Sequence, residues 1–292
     1  MIFEIVIYLL FGACLVHAWK RGLNFVTELF GGLMFGLILE YVNVAFLVDY
    51  RYGRFLVMIA DIPLAIGVGW AVIIYTSMAL SDRFGLNNWT RPMADAFLAL
   101  NIDLPMDVIA IRLGDGMWGW GWADQSARWT SEWFGVPFGN FFGWFFVVFL
   151  YSATLRFARY VTVQKKLKNV WKTAYPFMAV VISEILLMSL IIALILVGEM
   201  GVPSWLIFVI PVAISAAFLV FFGKPKPCDS PTGWIIHAVP LFFHLYFLAA
   251  VIVFKLEAWT PWIIPISLSM LITGIVIHIF AFRSRNKNRI MI

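Results

Sequence analysis

Apolar residues in this chain come in long uninterrupted runs, broken by short clusters of charged residues, glycine and proline. They do not form the one-sided stripes of a helix that rests on a water-soluble core. A run of about 20 apolar residues crosses a bilayer core of roughly 30 Å as a helix, because no water is there to satisfy a non-helical backbone. The pattern predicts spans over 2–19, 23–48, 55–80, 92–113, 138–160, 174–197, 202–222, 233–254 and 262–282. The expected fold is an all-α, polytopic transmembrane helix bundle of eight or nine spans, the count depending on whether the polar segment 92–113 crosses. Open sheets are excluded from the membrane, and no internal repeat or soluble domain interrupts the single integral membrane domain over 1–292.

Composition agrees: 63% of residues are hydrophobic and 13% charged, so lipid is the expected solvent. A net charge of +5 would suggest nucleic acid in a soluble protein, but here the Lys and Arg residues lie in short loops and the C-terminal tail. They report orientation, and no nucleic-acid partner is expected. The loop with Arg156, Arg159, Lys165, Lys166, Lys168 and Lys172 is predicted to be cytoplasmic. Alternation then puts Glu199 outside, Lys224 and Lys226 inside, Lys255 and Glu257 outside, and the tail with Arg283, Arg285, Lys287 and Arg289 in the cytoplasm of a prokaryotic cell. If 92–113 crosses, Lys20, Arg21, Arg83 and Arg91 fall inside and Arg51, Arg54, Arg112 and Arg128 outside. Nine spans with the N-terminus outside is the preferred topology. The N-terminal apolar run reads as the first span, since Glu4 stands where a cleavable signal carries positive charge. Cys14 and Cys228 suggest neither a disulfide framework nor a cysteine metal site.

Acids inside lipid are expensive and mark a functional site by default. Glu28 and Glu40 fall in the second span, Asp61 early in the third, and Asp95, Asp103 and Asp107 in the fourth. Asp103 and Asp107 are four apart, which on a helix puts them on one face about 6 Å apart along the axis. Two close carboxyls in an apolar site do not both ionise readily, so one is expected to keep its proton and act as an acid while its partner acts as a base. Structural pairing of these aspartates with Arg91 or Arg112, or a place in an interfacial loop outside the hydrocarbon, is the bland alternative.

Trp118, Trp120, Trp122, Trp129, Trp133 and Trp144 crowd one stretch. An interfacial aromatic belt accounts for them; a cradle for a polyene, with ring faces toward a developing carbocation, is the functional alternative. His237 and His244 are too far apart along one helix to chelate a metal directly, and His17 and His278 are isolated, so packing or interfacial roles are expected. A structural hydrogen bond is expected for Glu184.

The strings DLPMDVIAIRLGDGMWGWGW and WFGVPFGNFFGWFF, in that order, resemble the membrane carotenoid-biosynthesis family that includes carotenoid hydratases and bisanhydrobacterioruberin hydratase. The likeness covers about 20–160, with support around Glu28, Glu40 and IPLAIGVGW; the half over 161–292 is generically hydrophobic. The resemblance implies addition of water to the terminal trisubstituted double bond of an acyclic or monocyclic carotenoid, without cofactor or metal, with other enzymes of that pathway and membrane lipid as partners. Such hydration needs a proton donor at the alkene, a shielded cation and a positioned water in a greasy pocket. The candidate catalytic residues are Asp103, Asp107, Asp61, Glu40, Asp95 and Glu28; Trp118, Trp120, Asn140, Trp144 and Arg112 are candidates for binding substrate. Two other classes compete: a transporter or channel using the same acids as an ion path, and a prenyltransferase-like enzyme holding Mg2+ and a diphosphate on the aspartates.

Overall fold

The computed structural model describes residues 1–46, 50–113, 117–120, 132–165, 168–225, 233–258 and 260–289, with the backbone alone at 169 and 282–289. Trp122, Arg128, Trp129, Lys166, Lys226 and Cys228, and the side chains of Arg283, Arg285, Lys287 and Arg289, lie outside the described residues.

The described helices are α1 (Ile2–Arg21), α2 (Leu23–Phe46), α3 (Leu64–Ser81), α4 (Arg91–Ala110), α5 (Phe138–Gln164), α6 (Asn169–Glu199), α7 (Ser204–Phe222), α8 (Ile235–Phe254) and α9 (Ile263–Arg289). Among the described residues, eight of them are long and apolar enough to cross a bilayer, the architecture of an integral membrane bundle. The exception is α4, yet its 20 residues, about 30 Å of helix, run the depth of the bundle in step with the others. Packing resolves the paradox: α4 lies against α3, α5, α8 and α9, and its three aspartates are buried. A helix that neighbours shield from lipid can carry polar groups that an exposed span cannot.

Contacts fix the alternating directions. At one face, Arg159 near the end of α5 meets Glu28 near the start of α2, and Arg156 meets Asp82 just after α3 and Asp95 early in α4. The end of α1 meets the end of α3 through His17 and Tyr75, and Asn87 donates to the carbonyl of Phe222 at the end of α7. This face gathers Lys20, Arg21, Arg91, Lys165, Lys168, Lys172 and Lys224 and is called the basic face below. The opposite face carries Arg51, Arg54, Arg112 and Lys255.

That opposite face also holds two small ribbons outside the helical layer. β1 (Tyr50–Tyr52) pairs antiparallel with β4 (Trp118–Trp120), Tyr52 opposite Trp118, and β2 (Met58–Ile59) pairs with β3 (Ile62–Pro63). The third span therefore begins at Leu64, not at 55. Pro63 occupies the N-cap of α3 and restricts the residue before it to extended backbone, so the helix cannot reach back through Asp61.

At the centre, α3 is buried at every residue from Gly67 to Ser81, as expected for a helix that is apolar all round. It approaches α2 along a small-residue seam: a Cβ on Gly32 would lie 3.3 Å from Ala71 Cα, and one on Gly36 would lie 2.6 Å from Trp70 Cβ. This Gly-x-x-x-Gly spacing lets the backbones close up and van der Waals packing hold them. By contrast, α7 buries none of its residues.

Two tests follow. Gly36→Ala forces Trp70 aside and is expected to destabilise the detergent-solubilised protein by about 1–3 kcal/mol, read as a lower Tm, whereas Gly69→Ala, whose Cβ meets nothing within 4 Å, leaves Tm unchanged. Arg156→Gln strands the fully buried Asp95 and is expected to cost roughly 3–5 kcal/mol, measured as earlier unfolding in an SDS titration.

Candidate active site

Three acids converge on the face opposite the basic one. Asp103 and Asp107 project from α4 toward the first turn of α5, where the Asn140 amide donates to Asp107 Oδ2 at 2.6 Å and to Asp103 Oδ2 at 3.3 Å. The second oxygen of Asp107 accepts from the Trp118 indole at 3.0 Å. The β1–β4 pairing brings Trp118 there, holding the indole over the end of α4. Asp103 is fully buried behind its partner, and its Oδ1 has no hydrogen-bond partner among the described residues.

Glu40, late in α2, supplies the third carboxyl. It accepts from the Trp70 indole of α3 at 2.8 Å and from Asn43 at 3.3 Å. None of these three acids is in an ion pair among the described residues; neutral N–H groups hold them instead.

Asp107 and Glu40 both line a cavity of about 430 Å3, a size within the range of roughly 300–1,000 Å3 typical of small-molecule sites. They are its only acids among the described lining residues. Otherwise the wall is aromatic and aliphatic: Trp70, Trp118, Trp120, Phe142 and Trp144 on one side, and Leu187, Ile191 and Leu194 of α6 on the other. Trp70 and Trp144 lie against each other with ring centroids 4.0 Å apart. Tyr50 and Tyr52 close the cavity on the ribbon side. Burial raises both phenols well above the ordinary tyrosine range, so they stay neutral hydrogen-bonding groups at any physiological pH.

Of the six acids expected to act together, Asp103, Asp107 and Glu40 do meet; the other three stand elsewhere. Glu28 accepts from Arg159 at 2.5 Å and from the Tyr175 hydroxyl. Asp95 accepts from Arg156 at 3.0 Å and from Ser152. Both are therefore counter-charges for arginines on α5 at the basic face, and Asp95 pairs with Arg156 in place of the Arg91 or Arg112 considered from sequence. Asp61 is exposed in the turn between β2 and β3, where a carboxylate stays hydrated.

Among the residues expected to bind substrate, Trp118, Trp120, Asn140 and Trp144 line the cavity. Arg112 does not: it is buried and donates to the carbonyls of Val108 at 2.6 Å and Phe134 at 2.8 Å, tying the end of α4 to the turn before α5. Each histidine has a partner, His17 with Tyr75, His237 with His278 and His244 with Asn101. Glu184 departs from expectation, for neither of its buried oxygens has a hydrogen-bond partner among the described residues.

Sequence reasoning missed Trp70, Asn43, Tyr50 and Tyr52. Trp70 lay within a quoted motif, and an indole N–H in a buried span needs an acceptor, so a search for acids to satisfy it would have reached Glu40. The tyrosines carried no such signal, because their place depends on a ribbon formed with residues far along the chain.

No curated protein and no solved structure matches the chain. A family model matches residues 1–222, a span that includes every described residue lining the cavity except Phe243. On that match, the chain belongs to the DUF7802 family, described as a domain of unknown function.

Proposed function

We propose that the protein is a membrane hydratase that adds water to the terminal trisubstituted double bond of a long isoprenoid of the carotenoid class. The observation that carries this reading is the arrangement at Asp107: a carboxyl backed by a second carboxyl, fixed by Asn140 and Trp118, and opening onto an otherwise aromatic and aliphatic cavity. The resemblance of 103–146 to carotenoid hydratases supports the substrate class.

In this mechanism the Asp103/Asp107 pair holds one proton between its carboxyls, and Asp107, the member facing the cavity, delivers it to the less substituted alkene carbon. The π electrons form the new C–H bond and leave a tertiary cation. The indoles that line the cavity, Trp70, Trp118, Trp120 and Trp144, shield that cation. Water adds to it, and Glu40, held by Trp70 and Asn43, takes the proton the water sheds. Return of that proton to the aspartate pair resets the site, so the sum is alkene plus water giving a tertiary alcohol. The cavity takes one end of the polyene, and the remainder extends beyond it into lipid.

Ion conduction is less well supported. The two polar clusters are separated along α4 by the eight-position step from Asp95 to Asp103, about 12 Å of helix, and the stacked rings of Phe35 and Tyr151 lie in the core. A magnesium–diphosphate role also fits poorly with N–H donors on both oxygens of Asp107. By the excess of Lys and Arg, we assign the basic face to the cytoplasm, with the C-terminus on that side and the cavity toward the other.

Expression in cells that accumulate an unhydrated acyclic carotenoid tests the proposal by product mass. The wild-type protein is expected to add one water per modified end, Asp107→Asn to lower turnover about 100-fold or more, and Glu28→Gln to act mainly through protein abundance. An Asp107→Asn variant that folds and yields the full amount of hydrated product would overturn the assignment.

A further inference from the structure

A second cavity lies at the basic face, at the other end of the bundle from Asp107 and Glu40. It is a cleft of about 580 Å3 between the end of α1 and the starts of α2 and α8. Its polar wall consists of His17, Lys20, Arg21 and Trp234, and no acid is among the described lining residues. The neighbouring Arg91, Arg156 and Arg159 each lie within 4.0 Å of a carboxylate, whereas Lys20 and Arg21 are in no ion pair among the described residues.

Local geometry prepares the donors. Arg21 packs its guanidinium over Phe25, 3.8 Å from the ring centroid, which holds the charge at the cleft. It also lies against the hydroxyl of Tyr75, which is 2.8 Å from His17 Nδ1. With Nδ1 engaged by the phenol, Nε2 is the ring nitrogen left to meet a ligand. Gly233 leaves that edge open, since a Cβ there would stand 3.0 Å from Nε2.

Deeper along α1 the wall becomes apolar at Val16 and Ala13, and Val16 is 57% exposed on the outer surface of the bundle. The cleft thus joins basic side chains that form no ion pair among the described residues to an apolar track running from the membrane boundary into the bilayer. Trp234, 69% exposed, stands at the same level, where interfacial tryptophans sit.

We infer that this cleft binds an anionic phospholipid, its phosphodiester on Lys20, Arg21 and His17 and one acyl chain along Val16 and Ala13. Juxtamembrane basic residues attract anionic lipid by about 1 kcal/mol each; the cleft adds a shaped site to that attraction. The inference is independent of the hydratase reading.

Native mass spectrometry of the full chain, released from vesicles of phosphatidylcholine with a minor share of phosphatidylglycerol, tests it. The wild-type protein is expected to retain phosphatidylglycerol in preference to phosphatidylcholine, and excess inorganic phosphate should leave it bound. The Lys20→Gln/Arg21→Gln protein should lose that preference by about tenfold or more, while Lys168→Gln/Lys172→Gln, on the same face outside the cleft, keeps it. Equal retention of the two lipids by the wild-type protein, an equal loss in the Lys168/Lys172 variant, or displacement by inorganic phosphate would overturn the inference. Should the first double variant fail to fold, the wild-type enrichment and the phosphate competition decide it.

Discussion

The structure depends on what balances a carboxyl group once it has left water. Within the bundle there are two answers. At the basic face, Glu28, Asp82 and Asp95 are matched by Arg156 and Arg159, so that α5 is clamped to α2, to α4 and to the end of α3 by charge. At the other end, Asp103, Asp107 and Glu40 have no ion pair among the described residues and accept from the N–H groups of Asn140, Trp118, Trp70 and Asn43. A paired carboxylate has its charge neutralised and its geometry locked; one held by neutral donors keeps the freedom to gain or lose a proton. Acids of the same type thus become scaffold at one face and candidate chemistry at the other.

That division was only half legible in the sequence. The spans were readable from the length of their apolar runs, because lipid leaves the backbone no other structure. The Asp103/Asp107 pair was readable from its spacing, because a helix fixes which residues share a face. Glu28 and Asp95 looked like members of the same site because their partners, Arg159 and Arg156, are 131 and 61 residues away in the chain. Position in a span gives depth but not neighbour. The place given to Asp61, early in the third span, was missed for a local reason, Pro63, which the reading of an unbroken apolar segment overlooked. The ribbon of β1 and β4 was invisible, since neither three-residue strand carries a pattern of its own.

Helix α4 illustrates how the bundle accommodates such a site. It is polar enough to have made its crossing doubtful from sequence, yet its position inside the bundle allows it to run the full depth. The central α3 and the close Gly32/Gly36 seam of α2 narrow the core, while α6 supplies the aliphatic side of the cavity. The aromatic lining and the buried acids are therefore one construction: the rings that exclude water also supply the indole N–H groups that hold Asp107 and Glu40.

The central claim is that a proton from the Asp103/Asp107 pair and an oxygen from water end up on adjacent carbons of an isoprenoid. Incubation of the purified protein with an unhydrated carotenoid in deuterium oxide, and in parallel in heavy-oxygen water, tests this most directly. The account predicts an alcohol carrying one non-exchangeable deuterium on the carbon next to the carbinol centre, and one heavy oxygen in its hydroxyl group. An alcohol without carbon-bound deuterium, or no alcohol from a folded preparation, would contradict it.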